Sequence, residues 1–333
     1  MKRLHKQHDR FNALPLRDGH HVSSDNHSYL SGTLYVIAAA LLWAASGSAS
    51  KFLFNGGVSP LQLVQMRTTI AATALALLLA GRPGLLKVAR KDLPYFMLLG
   101  VILAAVQSSY LFAISKIHVA AAILLQYQAP IFIAAYAVLF ARKRLTFWTV
   151  TAIAGSVSGC YLMVGAYSLD ILSMSRIGIL AGLFSAVAFA WYSVKSEYGM
   201  RTYSPWTVVC YALVVAAVVW NLLQPPLGAF AKPYSAVEWS FIVFIGFFGT
   251  VLPFAFYNEG IRRITSTHAG IIATLEPVAA GVIAYVSLGE VMELWQIIGA
   301  GVVIASIAAL QVHHRPETPL TSTSAGYSER YGP

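Results

Sequence analysis

The sequence predicts an all-α integral membrane protein, ten transmembrane helices arranged as two inverted five-helix repeats. Three observations carry this expectation. Hydrophobic residues make up 57% of the 333 positions and charged residues only 11%, against about 25% charge in an ordinary soluble domain. So few charges cannot cover a water-soluble fold of this size. Ten apolar stretches lie between Tyr29 and Gln311, each long enough for the roughly 20 helical residues that cross a bilayer core. Finally, landmarks in the first half of the chain recur in the second at a nearly constant offset.

The spans fall at about 30–53, 61–80, 94–115, 117–140, 146–165, 176–196, 206–223, 237–257, 265–288 and 293–311. Gly56-Gly57, Gly81-Arg82-Pro83-Gly84, Arg142-Lys143-Arg144 and Gln224-Pro225-Pro226-Leu227-Gly228 punctuate them. Helices are expected because a helix satisfies its own backbone in lipid. Barrel strands would instead show alternating segments of about ten residues. Residues 1–29 and 312–333 are polar and read as disordered tails. The first has no apolar core of a signal peptide.

The formal charge of +10 would suggest nucleic acid on a soluble protein. Here the basic residues sort by side. Taking the N-terminal tail as one side, that side holds eighteen of the 23 Lys and Arg, and the opposite side holds Lys51, Lys116, Arg176 and Lys232. Arg67 alone falls within a span. The asymmetry follows the positive-inside rule and places both termini in the cytoplasm of a multi-pass inner (plasma) membrane protein. The charge therefore reports orientation, and nucleic acid is not an expected partner. Cys160 and Cys210 each lie inside a span, with no spacing suited to a disulfide or metal site, and no cofactor is implied.

Pro130 and Trp148 recur as Pro277 and Trp295 at an offset of 147; Trp43 recurs as Trp191, and Ser59-Pro60 as Ser204-Pro205. Two halves of five helices follow, at 30–165 and 176–311, joined by an extracytoplasmic linker at 166–175. Five is odd, so the second half enters the membrane from the opposite side. Inverted repeats let a protein exchange the conformations of its halves, as alternating-access carriers do.

Glu276-Pro277-Val278, Leu288-Gly289-Glu290, Trp295-Gln296 and Gly299-Ala300-Gly301 close the chain. The pattern resembles the second repeat of the drug/metabolite transporter superfamily, in its ten-helix EamA-type branch. Pro130, the basic turn after it and Trp148 resemble the same segment of the first repeat, and Arg67 matches an arginine common at that point of the family. Position 143 is Lys, where the first repeat of many relatives has Glu. The resemblance implies a secondary active carrier of small organic metabolites such as amino acids, commonly an exporter, working by alternating access.

The polar residues left inside spans are the candidate site. Glu276 sits near mid-span, where a bare carboxylate costs about 2.5–3.5 kcal/mol by insertion scales. The neighbouring Pro277 loosens the helix. Glu276, Pro277, Pro130 and Arg67 are assigned to gating or coupling. Gln107, Tyr110, Gln126, Gln128, Tyr257 and Asn258, with the deep tryptophans Trp43 and Trp191, are assigned to the cavity wall. Amides can bind a solute there or join helices. Gly155-xxx-Gly159 and Gly301-xxx-Ala305 permit close helix contact, within one chain or across a homodimer. Two other classes are weighed. A channel can also carry an inverted repeat. An intramembrane enzyme would need a nucleophile, and Ser46 in Ser46-Gly47-Ser48 has no histidine base placed beside it; no enzyme is expected.

Overall fold

The computed structural model of the chain describes residues 20–170, 173–288 and 291–313. Among the described residues, nine helices are long and apolar enough to cross a membrane, and Phe147–Met163 is a shorter apolar helix. Together they make ten spans.

The first repeat comprises α1 (His20–Asn55), α2 (Pro60–Ala80), α3 (Leu93–Lys116), α4 in two pieces (Val119–Gln126 and Ala129–Leu139) and α5 (Phe147–Met163). The second comprises α6 (Arg176–Gly199), α7 (Pro205–Leu223), α8 (Ala236–Ile264), α9 in two pieces (Ser266–Ala273 and Leu275–Leu288) and α10 (Leu294–Val312).

Local chemistry sets the ends. α2 and α7 start with proline at the first helical position, after Ser59 and Ser204, where the missing N–H costs nothing. Thr146 and Ser175 cap α5 and α6 through their side-chain oxygens. Two boundaries differ from the sequence expectation. Residues 20–29 were expected in the disordered tail and are helical; extending a nucleated helix costs little per residue. The eighth span was expected to end at 257 and continues to Ile264. There Glu259 pairs with both Arg262 and Arg263 at 2.9 Å, so the helix itself offsets part of the positive charge of that last stretch. Residues 1–19, 314–333 and the Gly289-Glu290 pair of the family-like motif lie outside the described residues.

The helix contacts obey the two-fold relation between the halves. α3 packs on α6 as α8 packs on α1; α4 packs on α6 as α9 packs on α1; α3 packs on α7 as α8 packs on α2. Two pairs map onto themselves, α2 with α7 and α5 with α10. The α5–α10 seam is tight because it is built from glycine. A Cβ on Gly299 would stand 2.6 Å from the Gly159 carbonyl oxygen, and one on Gly159 would stand 2.8 Å from that of Gly299. Gly155 faces Ser306 in the same seam. The Gly155-xxx-Gly159 stripe thus packs within the chain. Its expected counterpart is corrected: Gly301 and Ala305 face outward, and Gly299, Val303 and Ser306 make the contact. Helix period explains this, since residues two apart lie on opposite faces.

The end of the bundle that holds the first described residues of α1 is closely sealed. Gln311 donates to Thr33 at 2.8 Å, and Arg263 stacks over Tyr35 at 4.5 Å. The α8–α9 turn is the single residue Thr265, held at φ 101, a conformation costly for a β-branched residue. Glu197 steadies it by accepting from the Ser266 amide at 2.8 Å, and Lys143 reaches Glu197 at 3.7 Å. The Lys143 that departs from the family pattern thereby joins α4's end to α6.

Candidate functional site

α4 and α9 both break in mid-span, at Tyr127-Gln128 and at Thr274. Pro130 and Pro277 follow each break by three residues. Each lacks the N–H its helix would use, and the freed backbone finds other partners. Gln128 donates its side-chain amide to the Leu124 carbonyl at 3.1 Å, and the Cys160 thiol reaches the Thr274 carbonyl at 3.8 Å. Non-helical backbone at membrane depth is tolerated only where protein or a cavity surrounds it.

At these breaks the interior turns polar. Glu276 receives a hydrogen bond from the Tyr127 hydroxyl and lies in the electrostatic reach of Arg67 and Tyr110. All four side chains are enclosed by the bundle yet keep some water-accessible surface, as expected of a cavity wall. Three of the four, Arg67, Tyr110 and Glu276, are residues the sequence singled out. Tyr127 was not among the residues assigned to the site. The signal that could have found it is its position beside the break, facing the one mid-span carboxylate.

Arg67 has a second set of contacts that the sequence did not reveal. Its Nε donates to Thr250 Oγ1 and its Nη2 to the Gly249 carbonyl, both at 3.0 Å. Gly249 and Thr250 belong to a π-helical turn, Phe247–Val251, in the middle of α8. Ser46 of α1 packs against Gly249, where a Cβ would collide with it. Packing, rather than nucleophilic chemistry, therefore accounts for Ser46.

The remaining expected residues divide. Gln107 is half-buried, and both polar atoms of its amide are buried without a hydrogen-bond partner, a condition that costs free energy until a partner is found. Gln126 is half-buried beside the α4 break. Pro130 and Pro277 are buried. Trp43, Tyr257 and Asn258 belong to a separate aromatic group. Trp43 packs edge-on to Phe189 and Phe254 and at 5.4 Å from Tyr257. Tyr257 and Ser193 share a hydrogen bond of 2.9 Å, and Asn258 donates to Tyr192 at 2.9 Å while its own oxygen stays unpartnered.

Trp191 is corrected. It is 48% exposed and continues an outward stripe of Ile177, Leu180, Phe184 and Val187, spaced three and four residues apart as one helix face requires. Its repeat-mate Trp43 faces the interior, so the duplicated tryptophan does not have a duplicated environment.

Comparison with known proteins decides the family. The model of the EamA-like transporter family matches residues 30–165 and again residues 176–311. The chain belongs to the EamA-like transporter family. It is a multi-pass membrane transporter, not an enzyme. Among relatives of this EamA-like transporter, the threonine/homoserine exporter RhtA of Escherichia coli (strain K12) is 24% identical, over 86% of this chain and 92% of that one. A protein of Streptantibioticus cattleyicolor, named "probable terminal-alkyne amino-acid exporter", is 27% identical over 82% and 90%. A solved structure superposes with a TM-score of 0.72 at 20% identity, covering 85% of this chain and 97% of that one, which shows a shared fold.

Proposed function

We propose that this EamA-like transporter is a secondary exporter of a small amino acid or a related zwitterion, working by alternating access. The observation that carries the reading is the proximity of Arg67 and Glu276 inside the bundle, with Tyr110 in reach of both and Tyr127 bonded to Glu276. A guanidinium pairs with a carboxylate, and a carboxylate with an ammonium, so the two ends of a zwitterion find opposite charges. Neutral hydroxyls and the Gln107 amide complete a site that needs no net charge on the solute. Two exporters named for amino acids among the relatives support the same class.

The repeats at 30–165 and 176–311 would exchange conformations about the breaks in α4 and α9. The basic, sealed end faces the cytoplasm by the positive-inside rule. Gln126, Gln128, Trp43, Tyr257 and Asn258 extend the solute path toward that end.

Counterflow in proteoliposomes tests the reading. Internal unlabelled L-threonine is expected to accelerate uptake of labelled L-threonine, with saturation. Flux that never saturates and follows voltage would overturn it in favour of a channel.

A further inference from the structure

Pro253 begins the second half of α8 and has no N–H to offer the Gly249 carbonyl four residues before it. The turn widens there to π geometry, with the Leu252 amide bonded to the Phe247 carbonyl. Such turns concentrate at functional positions. The donor that reaches the Gly249 carbonyl is a side chain from another helix, Arg67 Nη2 at 3.0 Å, while Nε holds Thr250 Oγ1 at 3.0 Å. Thr250 in turn bonds back to the Ile245 carbonyl at 2.9 Å. α2 thus clamps α8 at the one point where α8's own ladder is interrupted.

The same guanidinium lies in electrostatic reach of Glu276 and Tyr110, and its side chain keeps some water-accessible surface. Among the described residues, no carboxylate forms an ion pair with it. Its two hydrogen bonds leave three of its five N–H groups for other partners. Both of its hydrogen-bond acceptors are neutral oxygens, and the Glu276 carboxylate acts on it only from beyond ion-pair distance. A carboxylate is a stronger partner than an amide carbonyl and a hydroxyl.

We propose that Arg67 is the positioning residue that links solute binding to the bending of α8. With the cavity empty it closes the π turn through Gly249 and Thr250. A solute carboxylate draws the guanidinium toward the cavity, the Gly249 carbonyl is released, and α8 becomes free to bend at Pro253. Because α8 packs along α1, and Gly249 touches Ser46 there, that bend moves the seam that closes the sealed end. The proposal rests on the amino-acid reading above for the identity of the carboxylate, and adds the element that responds to it.

Hydrogen–deuterium exchange of the full-length protein in nanodiscs tests it, read over residues 245–256. L-threonine is expected to raise exchange there, whereas L-threoninamide, which lacks the carboxylate, leaves it unchanged. Arg67→Gln is expected to raise exchange without solute by about fivefold, as a local opening made easier would, and to abolish the response to L-threonine. Thr250→Val removes one acceptor and leaves the cavity side intact; it is expected to raise basal exchange by about twofold while L-threonine still shifts the melting temperature. A folded Arg67→Gln protein with wild-type exchange would overturn the clamp. L-threonine that stabilises the wild type against melting yet leaves the segment unchanged, or protects it, would overturn the coupling. Absence of any melting shift with L-threonine would count against the amino-acid reading itself, and the solute-free comparison of wild type with Arg67→Gln would still decide the clamp.

Discussion

The breaks in α4 and α9 occupy corresponding places in the two repeats, Tyr127 and Pro130 in one, Thr274 and Pro277 in the other. Their mechanics match: each helix stops, turns and resumes at a buried proline. Their chemistry does not. Glu276 in α9 corresponds to Ala129 in α4, and the amides of Gln126 and Gln128 have no equivalents at Ala273 and Leu275. The same contrast separates α3 from α8. α3 is one continuous helix, whereas α8 carries the π turn that Arg67 closes. Duplication reproduced the α4 and α9 hinges but not the π turn, and a carboxylate was placed in only one copy of the hinge. That arrangement suits a carrier: both halves must bend alike, and a single solute needs only one set of partners.

Three substitutions test the contrast. The largest effect belongs where the halves meet on themselves. Gly299→Val drives a side chain into the Gly159 backbone and is expected to cost about 3 kcal/mol, the upper range for overpacking, read as a fall in melting temperature and in folded yield. Wild-type stability would mean that the α5–α10 seam can slide apart freely. Next is Glu276→Gln. Loss of one charge-assisted bond is worth about 1.5–3 kcal/mol, so transport should fall about tenfold or more and lose its pH dependence, with surface amount unchanged. Unchanged uptake across pH would remove the carboxylate from coupling. The smallest effect separates the two tryptophans. Trp43→Ala should weaken solute half-saturation about threefold to tenfold, the value of lost ring contacts, while Trp191→Ala leaves it within twofold. Equal responses would show that outward exposure of Trp191 is not its working environment.

Much of the fold was legible in the sequence because lipid imposes one rule on every span. Length, apolarity and basic flanks must recur ten times, and they do. The prolines and Glu276 were legible because a hinge and a carboxylate are conspicuous inside an apolar helix. Tyr127, Thr250 and Gly249 were not, since a tyrosine, a threonine and a glycine are ordinary in such helices. Their roles come from neighbours far along the chain. Trp191 misled for the same reason. The repeat offset fixes its place along a helix, and only packing fixes which way that face points. Lys143 appeared as a departure from the family pattern, and its partner Glu197 on α6 became visible only when the chain was folded.

The sequence by itself determined that this protein spans a membrane ten times, in two inverted halves with proline hinges at matching depths. Those properties follow from local composition and periodicity, which the bilayer reads one segment at a time. The tertiary structure decided which polar groups share a cavity and which face lipid. It also joined Arg67 on α2 to the π turn of α8, 182 residues away. Hydrogen bonds and charges act over a few ångströms, so their partners are set by packing, and nothing in the linear order of the chain records them.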